Sequence, residues 1–284
     1  MKKIEYSRYN SFKLFLEDIT KTRFLKGNYL KFFIERLVSY YEIFTGKYNL
    51  KQKLIKKLNI KGEIIIKTNI GKFYAKLEDD SLNKYSPYFE YELQHWFSYD
   101  KRKEIFLDIG ANRGRYSIQA LTLHDYKKSI CFEPLSVNLD FIYKNIKLNK
   151  LEDRVVVFKY GLSNEEKEVT INYNVLNTGI ASIEDKRNNY LKEKIKLKNL
   201  DFFMNYNIIN PIKVSFIKID VEGHEYYVLL GGKRFFKNLK TDTYLMIEIW
   251  NTNKNKERTL NLLKEFGFTL VEKIRDNYLY KKVI

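Results

Sequence analysis

From about residue 105 onward, the apolar positions of this 284-residue chain fall into short solid runs separated by stretches of helical period. Ile105 to Ile109 is the first run, and its length and composition predict a buried strand. A glycine-bearing turn follows, then a helical stretch from about Arg115, then a second strand that ends at Glu133. Val155 to Tyr160 (VVVFKY), Val214 to Asp220 (VSFIKID) and Tyr244 to Ile249 (YLMIEI) predict three more strands. Ser136 stands where it would cap a helix that carries Leu139, Ile142 and Ile146 at spacings of three and four. Lys254 to Phe266 predicts another helix, with Leu260, Leu263 and Phe266 on one face and Gly267 as its stop. Strands alternating with helices predict an α/β fold with a doubly wound, mostly parallel sheet.

The pattern differs before residue 88. Asn28 to Thr45 (NYLKFFIERLVSYYEIFT) predicts a helix with Lys31, Glu35 and Glu42 on one narrow polar stripe and apolar residues over most of the rest. Such a helix needs a cover: the main domain, a second copy of the chain in a homodimer, or an anionic membrane surface. Ile60 to Thr68 and Gly71 to Leu77 predict a β-hairpin turning at Asn69 to Gly71, which would extend or cover the main sheet. The expected organisation is a basic extension (1–59), a hairpin lead-in (60–87) and a main domain (88–284). Within that domain Glu168 to Tyr173 alternates like a strand, and the polar stretch Asn174 to Asn189 follows. This insertion is placed to shape a pocket beside the sheet, with Thr178 and Gly179 read as a turn.

Charge sharpens the division. The chain carries +17, and the first sixty residues hold 14 Lys and Arg against 5 Asp and Glu. A nucleic-acid partner is the competing reading. Against it, the chain has no N-P-P-Y or D-P-P-Y stretch, no zinc module and no compact Arg-rich arm, and its excess of Lys, Asn, Ile and Tyr has the look of AT-rich coding. No nucleic acid is expected. The single cysteine, Cys131, sits in an apolar strand and is read as core, and it excludes an internal disulfide. With no secretory signal and no apolar span of about 18 residues, a cytoplasmic location is expected.

The turn after the first strand carries the chemistry. It reads D-I-G-A-N-R-G from Asp108 to Gly114, and Glu133 closes the next strand. Gly110 and Gly114 lack side chains that would keep a ligand from the backbone, and a carboxylate in the place of Glu133 can accept both hydroxyls of a ribose. A dinucleotide fold wants G-x-G-x-x-G around a pyrophosphate. Here Asp108 would repel a pyrophosphate but suits a cationic group such as the ammonium of a methionine moiety. The turn therefore favours S-adenosylmethionine over NAD.

Several motifs in order resemble those of the FkbM family of S-adenosylmethionine-dependent methyltransferases. They are D-I-G-A-N-R-G at 108–114, F-E-P at 132–134 with Asn138, Asn145 and Asn149, Y-G-L-S-N at 160–164, T-G-I-A-S at 178–182 and I-K-I-D-V-E-G-H-E at 217–225. The resemblance covers roughly residues 88–280 and implies a class I, seven-stranded Rossmann-like fold that typically methylates oxygen. It implies that Gly110 and Gly114 meet the methionine end of the cofactor and that Glu133 meets the ribose. It further implies that Pro134, Leu135 and Leu162 wall the adenine, and that Asn112 and Asp220 lie near the methionine moiety and the sulfonium. The acceptor it implies is a sugar, a glycan precursor or a secondary metabolite. Arg113 and Arg115 depart from the small or apolar residues expected there, and face either an anionic acceptor or solvent.

An alcohol acceptor must lose a proton. His224 is the candidate base, with Glu222 and Glu225 as rival bases or as carboxylates that hold it. The alternative is that His224 packs or caps the helix beginning there, with the two acids favoured by the helix dipole. His95 and His124 are read as ordinary packing or surface residues. Asp220, Glu222 and Glu248 all fall near strand ends, but three acids are no metal signature, and no obligatory metal is expected.

Overall fold

A computed structural model describes residues 20–45, 50–86, 89–174, 176–182 and 190–284. The chain divides into two compact units, Met1–Tyr91 and Glu92–Ile284.

In the first unit, β1 (Arg23–Lys26) precedes α1 (Tyr29–Thr45) and α2 (Leu50–Lys57), and β2 (Glu63–Thr68) and β3 (Gly71–Lys76) form the hairpin. The hairpin does not extend the main sheet. It pairs with β1 in a three-stranded sheet of order β1-β2-β3. Asn28 caps α1, its Oδ1 accepting from the Lys31 amide at 3.0 Å. The polar stripe of α1 faces inward. Glu35 is fully buried against Arg36 (2.7 Å) and Lys51 (2.5 Å), and these two cations hold its carboxyl below the ordinary range against the opposing effect of burial. Glu42 accepts from the Lys51 amide and Lys31 donates to the Asn59 carbonyl. Because α2 is lysine-rich, the acids of α1 turn toward it. Tyr29, Phe33, Leu37 and Tyr41, four residues apart, are left exposed.

A 3₁₀ helix, Tyr91–Ser98, spans the boundary and leads into the second unit. Then come β4 (Ile105–Ile109), α3 (Arg115–Thr122), β5 (Lys128–Phe132), α4 (Ser136–Asn149), β6 (Val155–Phe158), β7 (Gly161–Leu162), β8 (Lys167–Asn174), β9 (Asn177–Ser182) and β10 (Leu191–Lys198). They are followed by α5 (Leu200–Asn205), β11 (Val214–Ile219), α6 (Glu225–Leu230), α7 (Lys233–Lys237), β12 (Tyr244–Glu248), α8 (Lys256–Glu265), β13 (Phe268–Ile274) and β14 (Asn277–Lys282). The seven-stranded sheet has the order β13-β14-β12-β11-β4-β5-β6, with only β14 antiparallel to its neighbours. Successive strands run outward from β4 in one direction through β5 and β6, and in the other through β11 and β12. Right-handed crossovers in opposite directions place helices on both faces and leave a switch point between β4 and β11. Ligands in such sheets bind at the carboxyl ends beside that point.

β11 is buried at all six positions, and Leu107, Ile109, Ile217, Ile219, Leu245 and Ile247 line one continuous core. The alternating segment expected at 168–173 belongs to a second sheet of order β7-β10-β8-β9, with its own small core of Leu135, Ile171, Ile195 and Leu197. Thr178 and Gly179 lie in strand β9 instead of a turn. Residues 183–189 of the expected polar stretch lie outside the described residues. Ser136 is the first residue of α4 instead of its cap. Its Oγ is drawn to Glu193 Oε1 at 2.5 Å, a partner on β10 that outcompetes the helix's own amides.

Candidate active site

The switch point gathers Asp108, Gly110 and Asp220 around Lys218, which the sequence reading gave no role. Asp108 on β4 and Lys218 on β11 are register partners across parallel strands, so both side chains leave the sheet on one face. Lys218 Nζ lies 3.8 Å from Asp108 Oδ1, 3.1 Å from Asp220 Oδ2 and 3.3 Å from the Gly110 carbonyl, and 5.0 Å from the centre of the Tyr116 ring. Asp108 is fully buried and accepts from Ser117 Oγ at 2.7 Å. Burial pushes its carboxyl up, while Lys218 and Ser117 pull it down. Asp108 is therefore not a surface that a methionine ammonium can meet, because Lys218 already occupies its charge. Asp220, whose side chain is 33% exposed, is the open carboxylate of the pair.

The cofactor-type loop is built from left-handed residues, with φ of +80° at Gly110, +50° at Asn112 and +79° at Gly114. A β-carbon at Gly110 would collide with the Asp220 carbonyl oxygen, whereas one at Gly114 would make ordinary contact with Ile142 at 3.5 Å. Gly110 is thus required by the meeting of the β4 and β11 loops, and Gly114 by its backbone conformation. The loop amides are turned inward as well: Gly110 and Ala111 both donate to the Phe132 carbonyl at 3.0 Å, and Asn112 donates to Glu133 Oε2 at 2.8 Å.

Glu133 Oε1 accepts from the Leu135 amide (3.0 Å) and from Asn138 Nδ2 (3.1 Å). With three donors on a carboxylate that has about four acceptor positions, Oε2 keeps capacity for a further donor such as a ribose hydroxyl. Of the three adenine-wall residues, Pro134 is half-buried, Leu162 lies in the main core and Leu135 in the smaller one. Thr178 Oγ1 approaches Asn112 Oδ1 at 3.5 Å, which brings β9 beside the loop. The solvent-facing alternative for Arg113 and Arg115 fails: both guanidinium groups are buried, over the rings of Phe141 (4.4 Å) and Tyr116 (4.9 Å).

After β11 the chain reverses through Glu222 (φ +55°) and Gly223 (φ +98°), with the His224 amide donating back to the Val221 carbonyl at 3.3 Å. Positive φ at both central positions is the type I′ pattern. Glu225 locks this turn: Oε1 accepts from the Gly223 amide at 2.9 Å and Oε2 from Asn253 Nδ2 at 3.0 Å. His224 stands at the N-cap of α6 without capping it by its side chain. Its Nε2 lies 3.0 Å from Ser163 Oγ, and its ring centre 4.7 Å from that of Tyr227. Ser163 and Asn253, unlike His224, carry no local pattern that singles them out. Lys218 does, since it is a lone charge inside the apolar run VSFIKID.

His95 pairs with Glu272 at 2.8 Å, and His124 stacks on Phe97 with ring centres 4.3 Å apart, its pKa lowered to about 4 chiefly by burial. Cys131 is buried, and burial raises its thiol pKa. Asp220, Glu222 and Glu248 do not assemble a metal centre; among the described residues no group of three or more His, Cys, Asp or Glu is placed to hold an ion. Nor is any described helix long and apolar enough to cross a membrane.

Burial pushes the Glu133 and Glu225 carboxyls up to about 7, against the hydrogen bonds that favour their charged forms. Between their ordinary value of 4.5 and about 7, the folded protein then holds protons that the unfolded chain has released. Stability of the ligand-free protein is expected to fall as pH rises through that window, by up to about 1.4 kcal/mol per pH unit for each group. Thermal melts from pH 5 to 8 should show a shallower slope for Glu225→Gln than for the unaltered protein. Identical slopes would contradict the assignment.

The chemistry of the site fits adenosylmethionine better than a dinucleotide. Asp108, Glu133 and Asp220 against one Lys218 make an acid-rich setting, opposed to a pyrophosphate and suited to a sulfonium. Residues 108–270 match the family model described as the Methyltransferase FkbM domain. The methyltransferase sdnD of Sordaria araneosa is 24% identical over 191 residues, which are 58% of this chain and 73% of that protein. Among solved structures, the methyltransferase FkbM of Methylobacillus flagellatus KT is similar at 18% identity with a TM-score of 0.46. That similarity takes in 63% of this chain and 44% of the other, so the chain spans less than half the length of that relative. Fibrillarin of Aeropyrum pernix, solved with natively bound S-adenosylmethionine, is similar at 11% identity with a TM-score of 0.39, over 65% of this chain and 68% of that one.

Proposed function

The chain belongs to the FkbM methyltransferase family, and from that premise we propose that it transfers a methyl group from S-adenosylmethionine to a hydroxyl of a sugar, a surface-glycan precursor or a secondary metabolite. The observation that carries the cofactor reading is the pairing of Glu133, with acceptor capacity left on Oε2, and the exposed Asp220 at the carboxyl edge of one sheet. When bound, the cofactor supplies an electrophilic methyl carbon on a sulfonium whose departure as a neutral thioether makes it a good leaving group. Glu133 would hold the ribose, Asp220 and Asn112 the methionine end, and Pro134 the adenine edge.

The chain's own task is then mainly positioning, which can contribute roughly 7–11 kcal/mol toward the barrier. A base adds about 10²–10⁴-fold by taking the hydroxyl proton. His224 is the proposed base. Its ring is already oriented by Ser163, and the acceptor hydroxyl would replace Ser163 Oγ as the partner of Nε2. Glu225, knitted into the turn by Gly223 and Asn253, supports the loop that carries His224. Glu222, at the tip of the same turn, is the nearer rival for an acceptor contact. The oxygen acceptor and the sugar class rest on the family resemblance.

The test is an acceptor screen that reads adenosylhomocysteine formation over nucleotide sugars, methyl glycosides, tRNA and rRNA. Product with sugar hydroxyls and none with RNA is expected. Methylation of RNA alone, with binding that collapses as salt rises, would overturn the acceptor class.

A further inference from the structure

Lys218 is charged, almost completely buried, and placed in the middle of the site without a role in the reading above. Its ammonium faces three oxygens from two loops: Asp108 Oδ1 and the Gly110 carbonyl on the β4 side, and Asp220 Oδ2 on the β11 side. The backbone of Asp220 is fixed separately, its amide donating to the Ile109 carbonyl at 3.0 Å. What that amide does not fix is the direction of the Asp220 carboxylate. Asp108 and Asp220 repel each other, and with no cation between them the partly exposed Asp220 would swing toward water, since Asp108 is enclosed.

We propose that Lys218 is a positioning residue for the cofactor: it pins the Asp220 carboxylate inward and leaves the Asp108–Lys218–Asp220 cluster with one net negative charge to meet the sulfonium. The inference rests on the adenosylmethionine reading. It makes Lys218 act through Asp220, and it makes the cluster discriminate between the cationic cofactor and its neutral-sulfur product, adenosylhomocysteine.

Calorimetric titration of the full chain with S-adenosylmethionine and adenosylhomocysteine tests it. Lys218→Met is expected to weaken adenosylmethionine binding by about tenfold or more, and to shrink the preference for it over adenosylhomocysteine. In an Asp220→Asn background the same change is expected to cost less than about threefold, the non-additivity of a residue that works through its neighbour. Lys218→Met alone strands a buried carboxylate and so risks misfolding. Asp108→Asn with Lys218→Met removes both buried charges, and it should melt like Asp108→Asn yet bind adenosylmethionine about tenfold more weakly than Asp108→Asn does. Equal affinity of those two variants, or a full additive loss in the Asp220→Asn background, would overturn the proposal. Failure of the unaltered protein to bind adenosylmethionine would instead overturn the cofactor reading on which it stands.

Discussion

Gly110→Ala is expected to abolish cofactor binding and to cost the fold about 4 kcal/mol or more, the sum of left-handed strain and overpacking against a backbone that cannot yield. The added β-carbon would strike the Asp220 carbonyl oxygen, and the residue sits at φ +80°. Neither obstacle can be relieved by turning a side chain, because the obstructing atom is main chain held by the amide of Asp220 on Ile109. Gly223→Ala is the matched control. That glycine also has positive φ, +98°, but a β-carbon there meets nothing within 4 Å. It should pay only conformational strain, about 1–3 kcal/mol. Urea unfolding of the two variants separates the contributions, and equal losses would mean that the β4 and β11 loops are not locked together.

His224→Ala is expected to lower methyl transfer by about 10²–10⁴-fold while leaving adenosylmethionine affinity within about threefold. The ring meets Ser163, just after β7, and Tyr227 on α6, so its loss is expected to spare the cofactor side. Single-turnover rates with the acceptor found by the screen, together with calorimetry, measure the two effects separately. Unchanged turnover would remove His224 from the mechanism and leave it as a packing residue of the turn. A parallel loss of cofactor affinity would make it a scaffold for the site.

Much of this site was legible before any coordinates, and the part that was not has a physical cause. The run Ile105–Ile109, the turn at 108–114 and the acid at Glu133 are contiguous or nearly so, and local pattern reports them directly. The doubly wound, mostly parallel sheet followed from the alternation of strands and helices. Asp108 was misjudged because its partner is 110 residues away: only the register that sets Lys218 beside it shows that its charge is already answered. The glycines were recognised, but their cause was taken to be a ligand when it is the Asp220 carbonyl for one and φ for the other. In α1 the period was legible, but amphipathicity says that two faces differ and not that the polar stripe is buried. Glu35 is buried because Arg36 and Lys51 meet it, a fact of tertiary pairing. The sheet β7-β10-β8-β9 escaped for a similar reason, as β7 is two residues long and β10 alternates lysines with apolar residues.

The central claim is that the carboxyl edge between β4 and β11 binds S-adenosylmethionine. Calorimetric titration of the unaltered protein with S-adenosylmethionine, adenosylhomocysteine and NAD, repeated on Glu133→Ala, tests it most directly. The account predicts saturable binding of the first two, none of NAD, and loss of both in the variant. A folded protein that binds NAD, or that binds adenosylmethionine equally well without the Glu133 carboxylate, would contradict it.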